Sequence, residues 1–170
     1  HKSILHLIPA TPCRVLDIGA GTGRDAAALA ALGHQVLAAE PTAEMRAHAR
    51  RLHPSPRIEW IEDSLPELAR LHDRSERFDL VMMTAVWMHL DEAQRRRAMG
   101  RVAPLIEPGG LMTLSLRHGP IPAGRRMFDV TSAETRALAA EHGLAVLVDR
   151  DRPSVIGADG VWWSVLAFRA

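Results

Sequence analysis

Apolar residues in this chain fall in short runs broken by polar, glycine or proline positions, and the runs alternate with segments of helical spacing. Residues 14–18 read as a first strand, and the alanine-rich stretch 25–32 as a helix closed by Gly33. A second strand covers 35–39. Thr42 can then N-cap a helix running to about Leu52. Residues 57–61 form a third short strand and 66–71 a short helix. Residues 78–83 are apolar almost throughout, the mark of a central strand covered on both faces. Asp91 opens an arginine-rich helix, Pro108-Gly109-Gly110 makes a turn, and 111–116 is a fifth strand. Thr131 or Ser132 starts another helix, with Glu134 placed for a capping box. Residues 144–148 and 161–168 are the last two strands. About a dozen residues separate them with no helical pattern, too few for a parallel crossover, so they pair antiparallel. The pattern predicts an α/β fold in three layers, doubly wound, with a mostly parallel seven-stranded sheet and an antiparallel last strand.

Length and composition narrow the class. A chain of 170 residues suits one domain, 1–170, with a sizeable core, and 47% apolar and 24% charged residues are ordinary for a globular protein. A net charge of +1 gives no general attraction to nucleic acid, and no apolar run is long enough to cross a membrane. A single cysteine, Cys13, excludes an internal disulfide and fits the cytoplasm. The nine histidines are scattered, so no metal site is expected. The basic run Arg95-Arg96-Arg97 reads as a solvated helix face. The chain starts at His1 rather than Met, so the native N-terminus is expected to be missing.

The chemistry is concentrated at Asp17-Ile18-Gly19-Ala20-Gly21-Thr22-Gly23. Three glycines two apart, between a strand and a helix, let backbone N–H groups approach a polar ligand without a Cβ in the way. The spacing is Gly-x-Gly-x-Gly. A dinucleotide fingerprint would place its third glycine at position 24, which is Arg. Glu40 ends the second strand about twenty residues on, where a carboxylate can accept from paired ribose hydroxyls.

The glycine loop, Glu40, Asp63 after the third strand, the Pro-Gly-Gly turn and the antiparallel end together resemble the Rossmann-like S-adenosylmethionine-dependent methyltransferases, over nearly the whole chain. The resemblance implies S-adenosylmethionine as cofactor and S-adenosylhomocysteine as product. It implies that Asp17, Gly19, Ala20, Gly21 and Gly23 wrap the methionine end. Glu40, followed by Pro41, takes the ribose, and Met45 covers the adenine or belongs to the core. Asp63 and Ser64 read the adenine edge with Leu65 packed on the ring, or Asp63 caps the helix before Pro66. Thr84 and Ala85 line the sulfonium end. His89, just beyond the fourth strand, is either a general base or a loop-packing histidine. Trp87 and Met88 supply apolar walls for the acceptor. The irregular stretch 117–130, with Arg117, His118 and Arg125, borders the acceptor entrance, and Arg117 and Arg125 can bind an acidic group unless they merely face solvent.

The acceptor is expected to be a small molecule. The Asn/Asp-Pro-Pro-aromatic block of amino-methylating DNA enzymes is replaced by Thr84-Ala85-Val86-Trp87, and Cys13 is misplaced for a cytosine-C5 nucleophile. The resemblance implies a lid ahead of the first strand, where only about a dozen residues stand: the lid is missing from this sequence, or a partner chain or a second copy supplies it, or the site is open to a large substrate. The alternatives are a cofactor-binding sensor or non-catalytic partner subunit and, less favoured by the glycine spacing, a nicotinamide-dependent oxidoreductase.

Overall fold

The computed structural model describes residues 5–154 and 160–170. A seven-stranded sheet runs in the order β3-β2-β1-β4-β5-β7-β6. Its strands are β1 (Arg14–Ile18), β2 (Gln35–Ala39), β3 (Ile58–Ile61), β4 (Phe78–Met83), β5 (Ile106–His118), β6 (Ala145–Pro153) and β7 (Trp162–Arg169). β1 to β5 pair in parallel, while β7 is antiparallel to both β5 and β6. The chain reverses its order between β1 and β4, so the loops leaving these strands diverge and open a crevice at their carboxyl ends. The seven strands and the antiparallel end expected from the pattern are therefore present.

Side chains alternate across the sheet as strand geometry dictates. Leu16 and Ile18, Val81 and Met83, and Leu114 and Leu116 face one layer, formed by α3 (Ala69–Asp73), α4 (Glu92–Val102) and α5 (Ser132–Glu141). Val15, Leu80 and Met82 face the other, where α1 (Arg24–Ala31) buries Ala26, Leu29 and Ala30. α2 (Ala43–Leu52) sets Ala49 beside the α1 N-terminus. Leu7 reaches across to Val148, Val165 and Ala167 on the antiparallel half.

Several boundaries differ from expectation for local reasons. The helix expected at 66–71 begins only at Ala69, because Leu68 takes a left-handed conformation that a continuous helix excludes. Pro108-Gly109-Gly110 does not end a turn. It forms a bulge inside β5, whose register against β4 jumps from Phe78↔Ile106 to Leu80↔Leu111. The C-terminus clamps this bulge: Gly109 N donates to Ala170 O at 2.9 Å and Ala170 N to Gly110 O at 3.0 Å. Asp91 and Gln94 make a reciprocal capping box at α4. At α5 only half a box forms. Thr131 accepts from Glu134 N, but the Glu134 carboxylate turns to Arg95. Arg95 is 4% exposed and also donates to Leu90 O at 2.6 Å, so one member of the arginine run is interior rather than solvated. Arg96 and Arg97 do lie on the surface, paired with Glu92 and Glu67.

Candidate active site

The glycine loop folds back on the end of β2. Gly19 N and Ala20 N both donate to Ala39 O, at 2.8 and 3.1 Å. Gly19, Gly21 and Gly23 all have positive φ, the region where a Cβ is strained. At Gly19 a Cβ would also fall 2.5 Å from Val86 Cγ2, so the loop lies against the β4 exit as closely as a bare backbone permits. Gly23 has a packing task as well. Its Cβ position is filled by Trp60 and Ala49, and it stands at the α1 N-terminus between Thr22 and Arg24.

A cavity of about 240 Å³ opens at the loop, lined by Asp17, Gly19, Ala20, Gly21, Thr22, Arg24, Asp25, Thr84 and Ala85. Six of these were expected from the sequence. Thr22, Arg24 and Asp25 were not, and their position on the first turn after the glycines was the available signal. Asp17 is buried at the end of β1. Arg24 donates to Asp25 Oδ1 at 2.8 Å, and this bond, with a smaller contribution from Asp17, drives its guanidinium further toward the charged form. The cavity thus brings two carboxylates, a guanidinium and a glycine backbone to one point, a donor and acceptor set matched to a zwitterionic amino-acid group.

Glu40 couples this cavity to the end of β2. It is 7% exposed, its Oε2 accepts from Gly21 N at 3.0 Å, and its Oε1 accepts from Thr42 N at 2.9 Å. Each oxygen keeps a lone pair for a vicinal diol. Arg46, which the sequence reading passed over, holds the backbone under Glu40. Its Nη1 donates to Glu40 O and Pro41 O at 2.6 and 2.8 Å, and its Nη2 to Glu62. Pro41 lies exposed at this turn. Met45 is also exposed, and its Cε lies 3.9 Å from the Cβ position of Gly21, so it roofs the loop rather than joining the core.

The stretch after β3 is more structural than expected. Asp63 Oδ1 accepts from Ser64 N and Oδ2 from Leu71 N, both at 2.9 Å, so its carboxylate braces the turn into α3. Asp63, Ser64 and Leu65 lie outside the cavity lining, and Leu65 packs on the main core. The largest correction concerns Trp87 and Met88. They are 0% and 1% exposed, because the single helical turn Trp87–His89 swings both into the core under α4. Neither walls an acceptor pocket.

At the β4 exit Ala85 holds a positive φ of 57°, and its N–H donates to the buried Ser115 Oγ at 3.0 Å. His89 Nδ1 donates to Arg126 O at 2.7 Å, and Phe128 N donates to Met88 O at 2.8 Å. His89 therefore fastens the segment after β5 to the β4 exit. Arg117 spends one N–H on Pro120 O, and Arg125 lies exposed. The structure brings neither into the cavity.

A family model described as a methyltransferase domain matches residues 15–110. The ubiquinone biosynthesis O-methyltransferase of Bradyrhizobium sp. (strain ORS 278) is 34% identical over 106 residues, 60% of this chain and 39% of that protein. The demethylmenaquinone methyltransferase of Clavibacter sepedonicus is 31% identical over 119 residues, 69% of this chain and 46% of that protein. The chain therefore spans less than half the length of these curated relatives. Among solved structures, Burkholderia thailandensis 1,6-didemethyltoxoflavin-N1-methyltransferase, bound to 1,6-didemethyltoxoflavin and S-adenosylhomocysteine, superposes with a TM-score of 0.80. It shares 24% identity over 98% of this chain and 75% of that one. The strand order, the glycine loop against β2 and the matched span together place the chain in the methyltransferase-domain family, in its Rossmann-like class I form.

Proposed function

We propose that this chain binds S-adenosylmethionine at the carboxyl ends of β1, β2 and β4 and passes its methyl group to a small-molecule acceptor. The observation that carries this reading is Glu40, a buried carboxylate bonded to the middle glycine of the loop and adjoining the cavity at Asp17, Arg24 and Thr84. The bound sulfonium supplies an activated methyl group. Asp17 suits the ammonium and Arg24 the carboxylate of the methionine end, and Glu40 suits the ribose hydroxyls. Thr84 and Ala85 line the end where transfer occurs. The chain's own contribution is alignment: Ser115 fixes the backbone of Ala85, and the Gly19–Val86 contact fixes the distance between the two loops.

A small-molecule acceptor agrees with the names of the relatives, which concern ubiquinone, demethylmenaquinone and 1,6-didemethyltoxoflavin. Among the described residues no helix is long and apolar enough to cross a membrane. A cytoplasmic enzyme covered by a partner segment or second copy accords with these features. Incubation with methyl-labelled S-adenosylmethionine and a small-molecule extract tests the reading. Label is expected in a low-mass product. Cofactor binding with no transfer to any fraction would favour a sensor or partner subunit.

A further inference from the structure

The cofactor cavity opens beside the first turn of α1, and the sheet face under α1 continues past it onto β5, β7 and β6. Leu111 packs in the α1 layer, so alternation along β5 puts Thr113, Ser115 and Arg117 on that same face. Ser115 holds Ala85 at the methyl-transfer end, its Oγ accepting from Ala85 N at 3.0 Å. Arg117 is the next residue outward on this face, about 7 Å further along the strand. Pairing extends the row sideways: Arg117 opposes Trp163 on β7, and Trp163 opposes Arg152 on β6. The Arg152 guanidinium carbon lies 5.6 Å from the centroid of the Trp163 ring.

Charge is sorted between the two faces of this half. Asp149 and Asp151 on β6 face the α5 layer, where Asp149 pairs with Arg136 and Asp151 accepts from Ser164. Arg150 and Arg152 alternate with them and fall on the other face with Arg117. Among the described residues no carboxylate pairs with Arg117, Arg150 or Arg152, whereas Arg14 and Arg74 at the opposite edge of the sheet are matched by Glu76 and Glu59. Arg117 spends one N–H on Pro120 O at 2.8 Å and keeps its other donors.

Such a row has a definite ligand chemistry. Two guanidiniums and an indole offer donors and a flat π surface, and none of them accepts a hydrogen bond. Each guanidinium fork matches a carboxylate, and the half-buried indole suits a planar ring. Nothing in the cofactor cavity calls for an anionic acceptor; this row does.

Resting on the methyl-transfer reading above, we propose that Arg117, Trp163 and Arg152 form the subsite that selects the methyl acceptor, and that the acceptor is a planar aromatic molecule carrying a carboxylate. The carboxylate pairs with the guanidiniums and the ring lies toward Trp163. The methyl-accepting atom is at the far end of the molecule, toward Ala85, and a two-ring compound spans that distance. The row binds and orients the acceptor without taking a proton from it.

The test uses the full chain saturated with S-adenosylhomocysteine, whose binding is measured first by calorimetry. 2-Naphthoate and its neutral isostere 2-naphthamide are then titrated separately and followed by NMR. Naphthoate is expected to bind at least about tenfold more tightly than naphthamide and to show cross-relaxation with the Trp163 indole and the Ala85 methyl group. Arg117→Gln and Arg152→Gln are each expected to weaken naphthoate about tenfold and to leave S-adenosylhomocysteine affinity unchanged. Arg125→Gln removes an exposed arginine outside the row and is expected to change neither. Normal S-adenosylhomocysteine binding with no naphthoate binding, with equal binding of naphthamide, or with naphthoate bound away from Trp163 overturns the proposal and leaves the cofactor reading standing. An equal loss in Arg125→Gln overturns it as well, since general charge would then account for the binding. Failure of wild-type S-adenosylhomocysteine binding overturns the cofactor reading, and this one with it.

Discussion

The two halves of the carboxyl edge are built by different means. On the cofactor half, β1, β2 and the glycine loop are held by backbone contacts at their closest limit: Gly19 and Ala20 on Ala39 O, Gly21 on Glu40, Gly19 against Val86. On the other half, β5 to β7 present side chains, and the segment after β5 is tied down at a few points such as His89 to Arg126 O and Phe128 to Met88 O. Backbone contacts suit a ligand that never changes. Side chains and an irregular loop can be exchanged without refolding the sheet, which is how one fold serves many acceptors.

The sharpest way to break the contrast is Gly19→Ala. The new methyl meets Val86 at 2.5 Å at a φ of 71°, and left-handed strain alone adds to that clash. We expect a loss of about 2 kcal/mol in urea unfolding and no detectable S-adenosylhomocysteine binding. A stable, fully binding variant would show that the loop has room to spare. Arg46→Ala should act on the cofactor half alone. It removes the bonds under Glu40 and is expected to weaken S-adenosylhomocysteine about fivefold, about 1 kcal/mol by titration. On the other half, Arg126→Ala removes the contact of that side chain with Asp91, a surface pair. Unchanged cofactor affinity is expected, with at most about 1 kcal/mol of stability lost, and a large fall in affinity would mean the halves are coupled.

An effect independent of both halves lies at the opposite edge of the sheet. Burial, and secondarily the charge of Asp79, pushes the Cys13 thiol up from 9.0 to about 11. Its alkylation by iodoacetamide at about pH 8 should be about a hundredfold slower in the folded chain than in urea, following the thiolate fraction. The sign for stability follows: between about pH 9 and 11 the unfolded chain has lost this proton and the folded chain keeps it, so this contribution falls as pH rises through that window.

The contrast also explains which parts were legible in the sequence. Glycine spacing, strand runs and the acid at position 40 are backbone-level signals, and the strands, the parallel order and the Glu40 contact with the loop follow from them. Side-chain direction after a strand is not encoded that way. Trp87 and Met88 occupy acceptor-facing positions in sequence, but one helical turn carries them into the core. Arg95 sits in a run of three arginines, and only its facing partner Glu134 reveals that it is interior. Asp63 offers the same carboxylate to a helix turn as to an adenine, and only the structure shows its two bonds to the turn.

The central claim is that Glu40 joins the glycine loop to the ribose of a bound S-adenosylmethionine. The direct measurement is calorimetric titration of S-adenosylhomocysteine into the wild-type chain and into Glu40→Ala, with circular dichroism to establish that the variant is folded. Saturable binding to the wild type and at least about tenfold weaker binding to the variant are predicted, the loss of a charge-assisted hydrogen bond. Equal affinity in a folded variant, or no binding to the wild type, would contradict the account.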